Sequence, residues 1–152
     1  YTVILDERLE FADALSCVAN VGNAILGDVI DTDGCTVAPN TTSDLDGTDM
    51  YFVIQIDTAV VGTTSTVQWQ LCSDSTANLA TSKTIHFDTG AIAEAKLIAG
   101  YRVCAVRLPA GSYERYLGIW QTVAVNNLSA GKINAFLTSD PALWRAYADN
   151  VA

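Results

Sequence analysis

Short runs of alternating apolar and polar residues most restrict the fold of this chain. In residues 50–57 every second side chain is apolar, while the opposite face ends in Gln55 and Asp57. Residues 66–72 repeat the pattern, and the turn-forming residues 62–65 separate the two runs. This alternation is typical of strands that are buried on one face, so the two runs predict a β-hairpin.

The rest of the chain continues this pattern. Six further strand-like runs are bounded by glycine, proline, asparagine or serine: 16–21, 24–30, 83–88, 101–108, 115–126 and 132–138. The N-terminal segment could add a ninth strand, and only residues 92–97 have a helical pattern, which is too short for an independent helix. Eight short strands without helical crossovers predict an all-β, antiparallel two-sheet sandwich, and within that class a jelly roll.

The length of 152 residues and the hydrophobic share of 50% suit one folded domain and argue against intrinsic disorder. We expect a single β-sandwich domain over residues 1–152, with extended arms at about 1–15 and about 139–152. No apolar run is long enough to span a bilayer, and no basic region precedes an apolar run at the start. Neither a membrane span nor a signal peptide is therefore expected.

The net charge of −9 is concentrated in the first third of the chain. Residues 1–50 hold ten acids and one base, whereas residues 51–152 hold seven of each. This distribution would repel a phosphate backbone, so we expect no direct binding of nucleic acid. Residues 31–49 are polar and acidic, which predicts a solvated surface loop of a length that is often functional.

The cysteines and the single histidine do not predict a metal site. The four cysteines have no C-x-x-C spacing: Cys17, Cys35, Cys72 and Cys104. We expect free thiols, with Cys35 the most exposed, although all three pairings of four cysteines remain open. His86 alternates with Ile85 and Phe87, which predicts that it points away from the apolar face and acts as a surface residue.

A motif of catalytic type follows the run 83–88. Asp88-Thr89-Gly90 looks like the active-site triplet of retroviral-type aspartic proteases, in which a dimer brings two such aspartates together to share one proton. The same triplet also closes a strand well, because Asp and Thr bond the local backbone and Gly accepts positive φ. No glycine-rich flap follows it. We therefore predict a turn here, and a protein that is not an enzyme and has no catalytic residues.

The acidic loop contains the beginning of a possible calcium motif. Asp44, Asp46 and Asp49 have the spacing of oxygen ligands, but the closing bidentate glutamate of such loops is missing. A tight turn is therefore predicted, and we expect no bound metal and no cofactor.

Several short segments resemble a known family. They occur in this order: 3–6 with Leu9, Phe11, Asp13 and Ala14; 90–92; 97–100; 108–111; 114–117; 131–133; 140–141; and 145–150. Together they are similar to the capsid-stabilising, or cement, proteins of tailed bacteriophages, the group typified by the Bordetella phage protein. The resemblance runs over almost the whole chain and lies in the order of the pieces.

This resemblance implies a jelly-roll virion protein without enzymatic activity. Such a protein binds the outside of an icosahedral capsid and stabilises contacts between capsomers. Its expected partners are the major capsid protein and further copies of itself in a symmetric dimer or trimer. The expected location is the outer capsid surface of the virion, after synthesis in the cytoplasm of the host bacterium.

The terminal arms contain the candidate interface residues. Leu9 and Phe11 at one end, and Trp144 and Tyr147 at the other, are apolar side chains on polar stretches. Repeated weak contacts of such anchors add by avidity on a large assembly.

Two other functions remain as alternatives. A carbohydrate- or receptor-binding virion domain would need an exposed aromatic platform, to which Trp120 could contribute. A dimeric aspartic protease using Asp88 would cleave peptides at acid pH and lose that activity in Asp88→Asn.

Overall fold

The computed structural model describes residues 9–32, 36–38, 42–43, 50–109 and 113–138, with backbone alone for 36–38 and 42–43. These residues form a short 3-10 helix at Glu94–Lys96 and eleven strands. The strands are β1 (Glu10–Ser16), β2 (Gly22–Asp31), β3 (Thr36–Ala38), β4 (Thr42–Ser43), β5 (Tyr51–Val61), β6 (Thr66–Asp74), β7 (Thr84–Asp88), β8 (Ile92–Ala93), β9 (Arg102–Arg107), β10 (Tyr116–Ala124) and β11 (Ala130–Thr138).

Nine of these strands build two antiparallel sheets that pack face to face. Sheet A has the order β1-β11-β5-β9. Sheet B has the order β2-β10-β6-β7, and β8 pairs with β6 next to β7. The strands β3 and β4 form a separate small hairpin. The predicted all-β, antiparallel two-sheet sandwich is confirmed.

The core lies between the two sheets and contains the apolar faces that the alternation predicts. The inward side chains of β6, Val67, Trp69 and Leu71, have no exposed surface. Two polar side chains of this core are hydrogen-bonded: Trp69 Nε1 donates to Gln121 Oε1 at 2.9 Å, and Gln121 Nε2 donates to the Cys17 carbonyl at 3.1 Å. Such pairing removes the penalty of burying polar atoms.

Sheet A is buried on both faces around its two central strands. Phe52 and Ile54 point into the core, while their neighbour Val53 and its cross-strand partner Phe136 are also buried, at 0% and 2% exposure. The alternation predicted a strand that is half buried, and β5 is instead buried throughout residues 52–56.

Three short connections cross between the sheets at one end of the sandwich. They are residues 17–21 between β1 and β2, 62–65 between β5 and β6, and 125–129 between β10 and β11. Thr138 pairs with Tyr51 at the opposite end of sheet A, and Asp31 pairs with Tyr116 at that end of sheet B. These four strand ends therefore lie at the end of the sandwich opposite the three short connections.

The N-terminal arm predicted over residues 1–15 is wrong from residue 10 onward. These residues form the ninth strand, β1, in which Leu15 pairs with Ile133 and Ala12 with Ala135. The sequence pattern obscures the strand because its register shifts twice and Ala14 has a φ of 45°. The strand predicted over residues 16–21 is wrong beyond Ser16, because residues 17–21 are the connection to β2.

The β-hairpin predicted from residues 50–57 and 66–72 is wrong, because β5 lies in sheet A and β6 in sheet B, so the two strands do not pair. Two other local predictions change. The run 92–97 is not a helix, because Ile92 pairs with Val67 in β8 before the 3-10 helix begins. The predicted loop 31–49 contains the β3–β4 hairpin, and β2 continues to Asp31. Within the described residues, no helix is long and apolar enough to span a bilayer.

Candidate functional site

The two N-terminal anchor candidates lie at the core. Phe11 is 1% exposed, and its ring meets that of Phe52 edge to face at 5.8 Å between centroids. Leu9 is partly buried and packs against the same cluster. The prediction of Phe11 as an exposed interface residue is therefore wrong, because β1 pairs with β11 and turns that side chain inward. Trp144 and Tyr147 lie outside the described residues.

The Asp88-Thr89-Gly90 motif forms the tight turn that ends β7. Asp88 accepts hydrogen bonds from Gln68 Nε2 at 2.7 Å, from Gln70 Nε2 at 3.0 Å and from the Gly90 amide at 2.7 Å. Thr89 Oγ1 accepts the backbone N–H of Trp69 at 3.1 Å. Burial alone would raise the pKa of Asp88, but these hydrogen bonds outweigh it and lower the pKa below its ordinary value.

His86 is held at an edge of the core. Its Nε2 lies 2.7 Å from Ser73 Oγ, and its ring stacks on Tyr113 with centroids 3.9 Å apart. Ser73 and Tyr113 are fully buried, and Ser73 Oγ also accepts the backbone N–H of Glu114. The prediction that His86 points away from the apolar face is wrong. The register of β6 and β7 shifts between Leu71 and Cys72, which breaks the alternation that the prediction used.

Two aromatic side chains of β10, Tyr116 and Trp120, each form a cation–π contact. The Lys83 ammonium lies 4.2 Å from the Trp120 ring centroid, and the Arg115 guanidinium lies 5.0 Å from that of Tyr116. Arg115 also forms a two-pronged ion pair with Asp31, at 2.9 and 3.0 Å. These aromatic groups are partly covered rather than arranged as an open flat platform.

A buried carboxylate that was not predicted from the sequence organises the connection 75–83. Asp74, at the end of β6, is fully buried and accepts the backbone N–H groups of Thr76, Thr81 and Ser82. Burial acts to raise its pKa, and the hydrogen bonds lower it by more, so the carboxylate stays charged. The signal was present, because an aspartate followed by serine and threonine is typical of a side chain that bonds the backbone just after it.

The described cysteines are free and unreactive in character. Burial raises the pKa of Cys17 and Cys72 to about 11 and that of Cys104 to about 12. Cys35 and the predicted calcium-like aspartates, Asp44, Asp46 and Asp49, lie outside the described residues. Where side chains are described, no group of three or more His, Cys, Asp or Glu residues could hold a metal ion.

Comparison with protein families gives a match over most of the chain. The model of the Bbp16 family matches residues 14–137. The chain belongs to the Bbp16 family. That family is named for a Bordetella phage protein, which indicates a phage structural protein and agrees with the resemblance of the sequence segments. No curated protein matches the chain.

Proposed function

We propose that this Bbp16-family protein is a decoration, or cement, protein of a phage capsid. It binds the outside of the icosahedral shell and stabilises contacts between capsomers. The observation that carries the proposal is the family match over residues 14–137, together with the ordered resemblance to capsid-stabilising proteins. Its partners are the major capsid protein and further copies of this chain in a symmetric dimer or trimer on the virion surface.

The strand orders support a jelly roll as the finer description of the fold. The eight long strands are divided into β1-β11-β5-β9 and β2-β10-β6-β7. Three consecutive pairs, β1–β2, β5–β6 and β10–β11, each place one strand in either sheet. Two interleaved Greek keys produce such a division, and double-sheet jelly rolls are common in virion proteins.

The chemistry of the described polar clusters also supports a structural role. Asp88 closes a turn, His86 bonds a buried serine, and Asp74 holds a connection. Each of these titratable groups has fold-stabilising partners that account for its position. A nucleophile or general base would instead need access to a substrate.

Two observations bear on the alternatives. For a carbohydrate-binding domain, Trp120 would be the aromatic platform, but the Lys83 ammonium lies over its ring. For an aspartic protease, Asp88 would have to meet a second aspartate and share a proton, whereas Gln68 and Gln70 occupy its oxygens. Glycan binding that Trp120→Ala abolishes, or acid cleavage that Asp88→Asn abolishes, would favour the corresponding alternative.

The proposal is tested by comparing phage particles made with and without this protein. We expect extra density on the outer shell in electron cryomicroscopy when the protein is present, and earlier rupture on heating when it is absent. Purified protein added back should bind the outer surface and restore heat resistance. Particles that show no outer density and equal heat resistance would exclude a decoration role.

A further inference from the structure

We propose that the end of the sandwich formed by residues 17–24, 61–66 and 124–130, called here the valine end, docks on an uncharged apolar site of the capsid shell. This inference rests on the decoration function proposed above and specifies the surface that carries it. The three segments meet because they contain the short connections between the two sheets.

The valine end concentrates exposed apolar side chains. Val18, Val21, Val61 and Val125 have exposed fractions of 47%, 53%, 48% and 64%. They are four of the eight large apolar side chains that are exposed in the described part of the chain. Single exposed apolar residues are ordinary, but a group of them at one end marks an interaction surface.

The valine end also lacks charge. None of its three segments contains Asp, Glu, Lys, Arg or His. The 3-10 helix beside residues 61–66, whose Glu94 amide donates to the Ser65 carbonyl, contributes Glu94 and Lys96, which have opposite signs. The net charge of −9 therefore comes from other parts of the chain.

The acidic part of the chain is attached at the other end. Thr32 and Met50 flank residues 33–49, which contain four aspartates. Their amide and carbonyl groups pair with Arg115 and Leu108, beside the strand ends opposite the valine end. Both attachment points of the acidic segment therefore lie at one end of the sandwich, and the uncharged apolar surface lies at the other.

The backbone of the valine end is fixed before any partner binds. Asn127 Oδ1 accepts the Val21 amide at 2.8 Å, the Leu128 amide donates to the Ala19 carbonyl at 3.0 Å, and Asn126 Nδ2 donates to the Thr63 carbonyl at 2.6 Å. Since these bonds tie all three connections together, docking would require little further ordering.

Val125 has an unfavourable backbone conformation as well as an exposed side chain. It has a φ of 74°, which a β-branched residue rarely adopts, and it is also the most exposed of the four valines. Asparagine or glycine would adopt this conformation with less strain. A strained backbone that displays an apolar side chain to solvent is not explained by stability and is typical of functional positions.

The absence of charge at the valine end indicates what kind of shell surface it would bind. A charged shell surface would lose its hydration on contact with this end and gain no opposite charge in return. An uncharged apolar surface with a few neutral hydrogen-bonding groups matches the valines and the neighbouring asparagines. Docking in this orientation also turns Thr32 and Met50, where the acidic segment joins the sandwich, away from the shell.

The test uses full-length protein and purified shells that lack it, in a co-sedimentation titration. Val125→Asn should weaken binding about three- to tenfold without lowering the melting temperature, because asparagine tolerates the backbone of residue 125. Val61→Asp should weaken binding by about tenfold or more, because it places a charge in a dry contact. Ile85→Asp is the matched control, since Ile85 is also 48% exposed but lies on β7, and it should bind within about twofold of wild type.

Salt gives a second readout. Wild-type binding should change by less than about threefold between about 0.05 and 0.5 M salt, because no charges meet at the contact. A steep loss of binding with salt would overturn the inference, since it would indicate docking through charged groups.

The outcomes separate this inference from the proposed function. If wild-type protein binds no shells, the decoration function and the docking surface are both wrong. If wild type binds and the valine-end variants bind as tightly as Ile85→Asp, the function stands and the surface is wrong. If those variants bind shells normally but lose self-association in sedimentation velocity, the valine end joins copies of the chain, and the proposed partner is wrong.

Discussion

At the scale of single residues, Gly27 and Gly90 have the same conformation in different surroundings. Their φ angles are +74° and +71°. A Cβ atom on Gly27 would overlap the carbonyl oxygen of Phe11, whereas no atom lies within 4 Å of the corresponding position on Gly90. The pair therefore separates the conformational cost of a side chain from its steric cost.

We predict that Gly90→Ala lowers the free energy of unfolding by about 1–2 kcal/mol, which is the cost of a left-handed conformation for a residue with a Cβ. Gly27→Ala should add about 1–3 kcal/mol to that loss, because β1 must move away from β2. Urea unfolding followed by tryptophan fluorescence measures both changes. Equal losses for the two variants would show that the contact between Gly27 and Phe11 is not tight.

His86 gives a pH-dependent prediction. Burial lowers the pKa of this side chain below 6.5, so the unfolded chain binds a proton before the folded chain does. Stability should therefore be complete above about pH 6.5 and decrease as the pH falls, by at most about 1.4 kcal/mol per pH unit for one group.

The melting temperature is measured at about pH 7.5 and about pH 5.5. His86 is the only histidine of the chain, and histidine is the side chain whose ordinary pKa lies between these two pH values. His86→Gln should remove most of the difference between the two conditions. If the variant keeps the full pH dependence of the wild type, another group causes it.

At the scale of elements, the connection between β6 and β7 folds around Asp74. The carboxylate receives backbone N–H groups from both sides of this connection, at 3.4 Å from Thr76, 3.0 Å from Thr81 and 3.2 Å from Ser82. Leu79 lies between them, is fully buried, and would be 2.9 Å from a Cβ on Gly118 of β10. One side chain thus fixes a connection that covers part of sheet B.

We predict that Asp74→Asn lowers the free energy of unfolding by about 1.5–3 kcal/mol. The asparagine side chain has no negative charge, and its NH₂ group would face backbone N–H groups in place of a carboxylate oxygen. Asp28→Asn, at an exposed position of β2, is the control and should change it by less than about 0.5 kcal/mol. Urea unfolding at neutral pH compares them. Since hydrogen bonds lower the pKa of Asp74, its contribution should also disappear in wild type as the pH falls below about 3.8.

The sequence predicted elements well where the alternation is regular. The inward residues of β6 and the strands β10 and β11 agree with the pattern, because each pairs with neighbours over most of its length. Register shifts caused two of the errors. In β1 they hide a strand whose Phe11 is core, and in β7 they turn His86 towards Tyr113. A shift of one residue exchanges the two faces of a strand, and single-sequence periodicity does not reveal it.

At the scale of the whole molecule, the C-terminal segment is the remaining candidate arm. The last described strand ends at Thr138, which lies opposite the valine end. The 14 residues that follow can reach roughly 50 Å if extended. A tail of this length could contact a neighbouring subunit while the valine end meets the shell below.

We predict that removing residues 142–152 leaves a folded domain but weakens shell attachment or self-association. Trp144 and Tyr147 are aromatic anchors of a kind that can each contribute about 2 kcal/mol, or roughly thirtyfold in affinity. Co-sedimentation with undecorated capsids and a melting curve measure the two properties, and the double variant Trp144→Ala, Tyr147→Ala tests the side chains in the full chain. Unchanged binding would exclude an attachment arm, and loss of folding would place these aromatic residues in the core.

The pairing of β1 with β11 has a consequence for synthesis. Ala12 is paired with Ala135, so the edge of sheet A cannot form until almost the entire chain has left the ribosome. At about 5–20 residues per second, the N-terminal strand waits roughly 6 to 25 s for its partner. During that interval Phe11 has only part of its core packing, and the nascent chain exposes apolar surface and an unpaired strand edge of the kind that favour aggregation.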